Sequence, residues 1–268
     1  MRYTIRELKL GEILDQAVNL TKDHFGVLLG ITGVLMIPFY VLGGLIQVSM
    51  IPKLPPNPTP EQAAAVTFGA MRVSLPFGLL GAYVITPITN AAVVYAISNA
   101  YLEKPISVGE SFKRAFQRIL ALIGTWLLVG LAIMGGMLLC FVPGILAAFW
   151  FALATQVVVI ENVAGFAALK RSKQLMAGNI GTFFVLGLLV GLINAGITFA
   201  TNFIPQPHVR VVVNAIVAGV LMIFASAAFV VFYFSCRCKH EQFDLALLAQ
   251  SVGAETPGDF TGGATPQW

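Results

Sequence analysis

The chain has 268 residues, 57% of them hydrophobic and only 10% charged, with a formal net charge of +4. Soluble domains carry about 25% charged residues, so this composition excludes a water-soluble domain and places most of the chain in lipid. The basic residues are concentrated in a few segments, which removes nucleic acid from the expected partners.

Residues 1–24 read as a cytoplasmic amphipathic segment, with Leu10, Ile13, Leu14, Ala17 and Val18 on one helical face. The apolar run from Phe25 is too long for the core of a secretory signal and is expected to remain as an anchor. Six apolar runs follow, at 25–51, 73–100, 119–141, 142–160, 181–203 and 209–234, and Arg210 is the one charged residue inside them. About 20 residues of helix cross a bilayer core, and a helix closes its backbone hydrogen bonds within itself. The region 25–234 is therefore expected to be a six-helix transmembrane domain. Pro52, Pro55, Pro56, Pro58 and Pro60 predict a stiff, extended first connection. Val142-Pro143-Gly144 predicts the turn of a hairpin between the third and fourth spans. Pro38, Pro76 and Pro87 predict freed carbonyls and kinks within spans. Residues 235–268 read as a cytoplasmic tail, disordered after about 250.

Orientation follows from the cations. Arg2, Arg6, Lys9, Lys22, Lys104, Lys113, Arg114, Arg118, Lys170, Arg171, Lys173, Arg237 and Lys239 fall on one side of the predicted membrane. Lys53, Arg72 and Arg210 fall on the other. Thirteen against three predicts that both termini are cytoplasmic.

The segments at 10–17, 108–115 and 168–172 resemble one another, and each precedes two spans. The predicted architecture is all-α and polytopic: six transmembrane helices arranged as three repeats of a surface amphipathic helix plus a transmembrane hairpin. In the second surface helix Val108, Phe112, Ala115, Phe116, Ile119 and Leu120 share a stripe, and Ser107 with Glu110 has capping-box spacing. In the third, Phe166, Leu169 and Met176 share a face interrupted by Ser172 and Lys173, and Gly178-Asn179 is the stop signal. Such helices are expected in the interface, apolar side toward acyl chains and cationic side toward headgroups. Lys113, Arg114, Arg118, Lys170, Arg171 and Lys173 are the candidate headgroup contacts, each worth about 1 kcal/mol beside an anionic leaflet.

Asn90, Gln156, Asn194 and Asn214 are the candidate polar sites inside the spans. All are neutral, and an intramembrane carboxylate or lysine is the usual mark of an ion relay. Hydrogen bonding between helices, about 0.6 kcal/mol each, is the favoured role. Gly187-xxx-Gly191 and Ala215-xxx-Gly219 fit close helix approach, within the bundle or between copies of it. The run from Cys236 to Asp244 lacks the second histidine of His-Glu-x-x-His, and three cysteines make no disulfide framework. No cofactor, metal or catalytic group is expected.

Tyr101-Leu102-Glu103-Lys104-Pro105-Ile106-Ser107-Val108, Val142-Pro143-Gly144-Ile145, and the stretch from Ala167 through Lys170-Arg171-Ser172 to Gly178-Asn179 resemble a bacterial membrane-protein family. That family includes the membrane domain attached to some glycerophosphodiester phosphodiesterases, as well as stand-alone proteins of unknown function. The likeness spans roughly residues 8–235, in the order expected of the repeats. The catalytic barrel of those phosphodiesterases needs about 250 residues and has no room here, so the resemblance implies no hydrolase activity. It implies a non-enzymatic protein of the bacterial inner membrane, supporting envelope or lipid-related processes. The partners expected are membrane lipids, anionic ones included, and a membrane-protein partner. The alternative is a transporter or permease for a small or amphipathic substrate.

Overall fold

Every described element is a helix, and the boundaries follow local chemistry. The computed structural model describes Tyr3, residues 5–50, Asn57 and residues 59–245. Pro52, Pro55, Pro56, Pro58, Lys53, Arg2 and the tail beyond 245 lie outside the described residues.

The first helix, α1 (Leu10–Asp23), starts where the Glu12 carboxylate accepts from the Lys9 backbone N–H at 2.8 Å. Next come α2 (Phe25–Val34) and α3 (Met36–Met50), which meet at a bend of 43°. Pro38 has no N–H to offer the Val34 carbonyl, and the helix breaks there.

The helix α4 (Pro60–Leu80), a π-helical turn (Gly81–Ile85) and α5 (Thr86–Tyr101) form a continuous run of 42 residues. The second span is thus the inner part of a longer helix, which corrects its predicted start at 73. The extended connection also ends earlier than Pro60. Thr59 caps the helix, its hydroxyl accepting from Gln62 N while the Gln62 Oε1 accepts from Thr59 N. Pro60 occupies the first helical position, where a missing N–H costs nothing. The π turn has a local cause as well. Pro87 cannot donate to the Tyr83 carbonyl, and the widened turn lies immediately before it.

Ser107 caps α6 (Val108–Gln117), accepting from Glu110 N at 3.2 Å, as its spacing predicts. The hairpin of α7 (Ile119–Leu139) and α8 (Phe141–Trp150) turns at Cys140, which is fully extended at φ −171° and ψ 151°. This corrects the predicted Val142-Pro143-Gly144 turn. Pro143 sits in the first turn of α8, where it breaks no bond, and Gly144 makes a close crossing with Gly136. A Cβ on Gly136 would lie 2.8 Å from Gly144 Cα.

After a turn at 151–153 come α9 (Ala154–Gln156) and a second π turn (Val157–Glu161), which stops at Asn162 with φ +60°. The next helix, α10 (Gly165–Met176), ends just before Gly178 at φ +74°, where the stop signal predicts. The last two are α11 (Ile180–Thr201) and α12 (Pro207–Glu241). At 1.5 Å per residue α12 is about 52 Å long. It runs through 235–241, which the sequence assigned to a tail.

The core is built around α12, which packs on α1, α2, α3, α5, α10 and α11. Its second half and α5 are almost wholly buried, including Phe232, Tyr233 and Tyr101. The outer helices are the reverse: only 11% of the apolar window of α7 and 6% of that of α11 is buried. Apolar surface on that scale requires an apolar solvent. Five helices are long and apolar enough to cross a membrane, and the bent α2–α3 pair, taken as one span, makes six. The chain has the helical form of a membrane protein.

Packing also separates the small-residue motifs. A Cβ on Gly219 would meet Ile37 at 3.2 Å, so Ala215-xxx-Gly219 serves the chain's own bundle. Gly187 and Gly191 have nothing within 4 Å.

The surface helices differ from expectation. Ile13, Ala17 and Leu20 of α1 are fully buried, in a helix packed on α12, so this stripe faces protein rather than acyl chains. In α6, Ala115 is buried but Phe116 and Leu120 are exposed. In α10, Leu169 and Met176 are buried and Phe166 is exposed.

Candidate functional site

Charged groups gather at one end of the bundle, on α6, on α10 and on the last turns of α12, against which α1 and α10 pack. Here the structure divides the predicted headgroup contacts into two classes.

The first class is neutralised internally. Arg171 on α10 donates from Nε to both oxygens of Glu161, at 2.8 and 3.1 Å, and forms a second ion pair with Glu241 of α12. Arg237 completes the network, 3.0 Å from Glu241. The Tyr233 hydroxyl donates to Glu161 at 2.6 Å. Burial works against the charge of Arg171, but the hydrogen bond and charge of Glu161, joined by Glu241, raise its pKa above the ordinary value. The π turn, α10 and α12 are therefore joined by alternating charges. Nearby, Lys239 reaches Glu7 at 3.3 Å and the Asn179 side-chain oxygen at 3.2 Å. Ser172, which interrupts the stripe of α10, is fully buried. It donates to the Trp150 carbonyl at 2.8 Å and accepts from Leu153 N at 3.2 Å, satisfying backbone freed where α8 breaks.

The second class stands apart from this network. A cleft of about 480 Å³ opens between α5, α6 and the second π turn, and Arg114, Arg118 and Lys104 line it with Glu110 as its one carboxylate. Arg114 donates to the Asn162 side-chain oxygen and lies 5.9 Å from the Tyr95 ring centroid. Its Nε is buried without a partner. Burial, and then the nearby charge of Arg118, lower the Arg114 pKa from its usual value. Among the described residues neither Arg114 nor Arg118 forms an ion pair. Lys113 and Lys170 are exposed. So is Lys173, with its ammonium 4.1 Å from the Trp150 ring centroid.

The four intramembrane candidates do not converge. Asn90 accepts from the Ser226 hydroxyl at 3.0 Å, joining α5 to α12. Gln156 is 4% exposed and its Oε1 has no partner. Asn194 lies on the exposed face of α11, accepting from Thr198 at 3.3 Å. Asn214 is half-buried on α12. None of them lines the cleft.

Sequence reasoning missed Glu161, Tyr233, Glu241 and Asn162 as members of the site. Glu161 and Glu241 stand at the ends of apolar helices, facing a basic helix that pattern alone does not bring near. The left-handed backbone of Asn162 is a residue type's known tolerance, and that was the available signal. Groups of three or more His, Cys, Asp or Glu able to hold a metal are absent among the described residues.

No curated protein and no solved structure matches the chain. Residues 114–261 match the family model described as a domain of unknown function, DUF8558. The match begins at Arg114 and takes in Glu161, Arg171 and Glu241. It covers more than half of the sequence, and the chain belongs to the DUF8558 family.

Proposed function

We propose that the protein is a non-enzymatic, multi-pass protein of the bacterial cytoplasmic membrane, serving envelope or lipid-related processes by binding anionic lipid or a membrane-protein partner. In this reading both termini are cytoplasmic and the basic end meets the headgroups. The observation that carries it is the placement of the exposed cations: Lys113 on α6, and Lys170 and Lys173 on α10, stand clear of the internal ion pairs at one end of the bundle. The thirteen-to-three distribution of basic residues supports the orientation. The order of α1, α6 and α10, each ahead of apolar helices, supports a threefold repeat of surface helix plus hairpin. The resemblance to the membrane domain of glycerophosphodiester phosphodiesterases supports a lipid-related role.

The test is lipid enrichment around the purified chain in vesicles mixing phosphatidylglycerol with phosphatidylcholine. Reversal of Lys113, Lys170 and Lys173 to Glu is expected to abolish enrichment of the anionic lipid while leaving the melting temperature unchanged. Arg171 is unsuitable for this purpose, because its loss strands two carboxylates. Equal enrichment in the reversed protein, with no partner co-purifying, would sink the reading.

A transporter or permease for a small or amphipathic substrate is the second reading, and the unpartnered Gln156 carbonyl oxygen favours it. A Gln156→Leu variant that alters flux of a solute across proteoliposomes would support it.

A further inference from the structure

The arginines at the basic end are treated unequally, and the difference has a chemical meaning. Arg171 and Arg237 sit against the carboxylates of Glu161 and Glu241. Arg114 and Arg118 are half-buried, one helical turn apart, and face a cleft whose one lining carboxylate, Glu110, pairs with neither of them among the described residues. Two partly desolvated guanidinium groups repel one another, and a buried N–H without an acceptor is costly. The Arg114 Nε is such a group. Its guanidinium is not free to swing into water either, since Asn162 accepts from one end and the Tyr95 ring lies beside it. Asn162 is held in its own unusual backbone conformation by the end of the π turn. Asn162 engages Nη2 alone among the described residues, so the fork is pre-positioned with Nη1 left over.

We propose that this cleft is a binding site for a phosphate-bearing anion, held by Arg114 and Arg118. Guanidinium forks match phosphate oxygens in bidentate geometry, with charge assistance. The cleft's volume of about 480 Å³ exceeds what one phosphate group fills and suits a phosphate carrying a short polar substituent. Ser98 and Asn99 supply neutral polar groups on its α5 wall. The phosphate belongs either to an anionic lipid headgroup or to a soluble phosphorylated molecule; the chemistry is the same. This deepens the lipid-binding reading by assigning it a specific site, and it rests on that reading for the placement of the cleft at headgroup depth.

The experiment uses the full chain in phosphatidylcholine nanodiscs, titrated in one arm with inorganic phosphate and in the other supplied with phosphatidylglycerol. Native mass spectrometry counts retained lipid and calorimetry follows phosphate. One anion is expected per chain, with affinity reduced about tenfold in Arg118→Gln, a change equivalent to about 1.4 kcal/mol. Arg114→Lys keeps the charge but loses the fork, and is expected to weaken binding as well. Arg72→Gln, exposed on α4 and away from the cleft, is the control and is expected to bind normally. Retention of lipid without phosphate binding identifies the headgroup as the source; saturable phosphate binding identifies a soluble ligand. Unchanged affinities in both arginine variants, or no stoichiometric anion in either arm, overturn the proposal. If bulk enrichment around the lysines persists while the cleft variants bind normally, the site falls and the broader reading stands. If bulk enrichment is absent but phosphate still binds in an Arg118-dependent way, the broader reading falls and the site remains.

Discussion

Glu161 stands at the end of the second π turn with its side chain only 15% exposed, and it holds both Arg171 and the Tyr233 hydroxyl. Removing one partner of a pair withdrawn from water leaves the other charge without compensation. Glu161→Gln is therefore expected to destabilise the protein by about 2–3 kcal/mol. Thermal unfolding in detergent micelles checks this, and a midpoint matching the unaltered chain would contradict the network's role. A second residue-scale effect concerns Gly136, whose added Cβ would press on the backbone of Gly144, which cannot rotate away as a side chain could. Gly136→Leu is expected to splay α7 from α8, and the loss of about 2 kcal/mol or more expected of an overpacked contact would register in the same melts. Gly187→Leu meets nothing in the bundle and is expected to leave the midpoint unchanged.

At the scale of elements, several breaks in the helices fall where a donor is missing or a cap is present. Pro38 and Pro87 lie just past a bend and a π turn, whereas Pro76 stays inside α4. The outer part of α4 shows how much depends on the cap, because that helix buries no residue within its own length. With little packing to hold it, its start relies on the reciprocal hydrogen bonds of Thr59 and Gln62. Thr59→Ala is expected to cost about 1 kcal/mol locally, and hydrogen exchange should quicken over 60–66 while 86–101, buried against α12, stays protected. Equal exchange in both proteins would show that lipid or another contact holds this turn. The capped start at Ser107 and the stop at Gly178 were legible as sequence signals, whereas the start at Thr59 was hidden by the run of prolines, which reads as an extended connection. The corner at Cys140 was not, because an extended residue between two apolar helices has no distinctive residue type.

For the molecule as a whole, helix length sets how far each end projects. The runs 60–101 and 207–241 both exceed the roughly 30 Å hydrocarbon layer at 1.5 Å per residue. The proposed orientation puts Asn57 outside and Lys170 inside. In a Cys140→Ala background, Asn57→Cys is expected to react with a membrane-impermeant maleimide on intact cells. Lys170→Cys is expected to react only after permeabilisation. The opposite labelling pattern would reverse the topology and move the basic cleft to the other face.

Six apolar stretches, their lack of internal carboxylates and the lopsided placement of cations were readable from the chain alone, because they depend on composition over about 20 residues and on the period of a helix. What needed the tertiary structure was which of those cations are spent. Arg114 and Arg171 both belong to cationic amphipathic helices, yet one faces a cleft and the other is clasped by Glu161 and Glu241. The same holds for α1, whose apolar stripe covers α12 instead of entering lipid. Residues 10 and 72 positions apart come within 3 Å only when helices pack, and charge at such distances is governed by neighbours that no local pattern names.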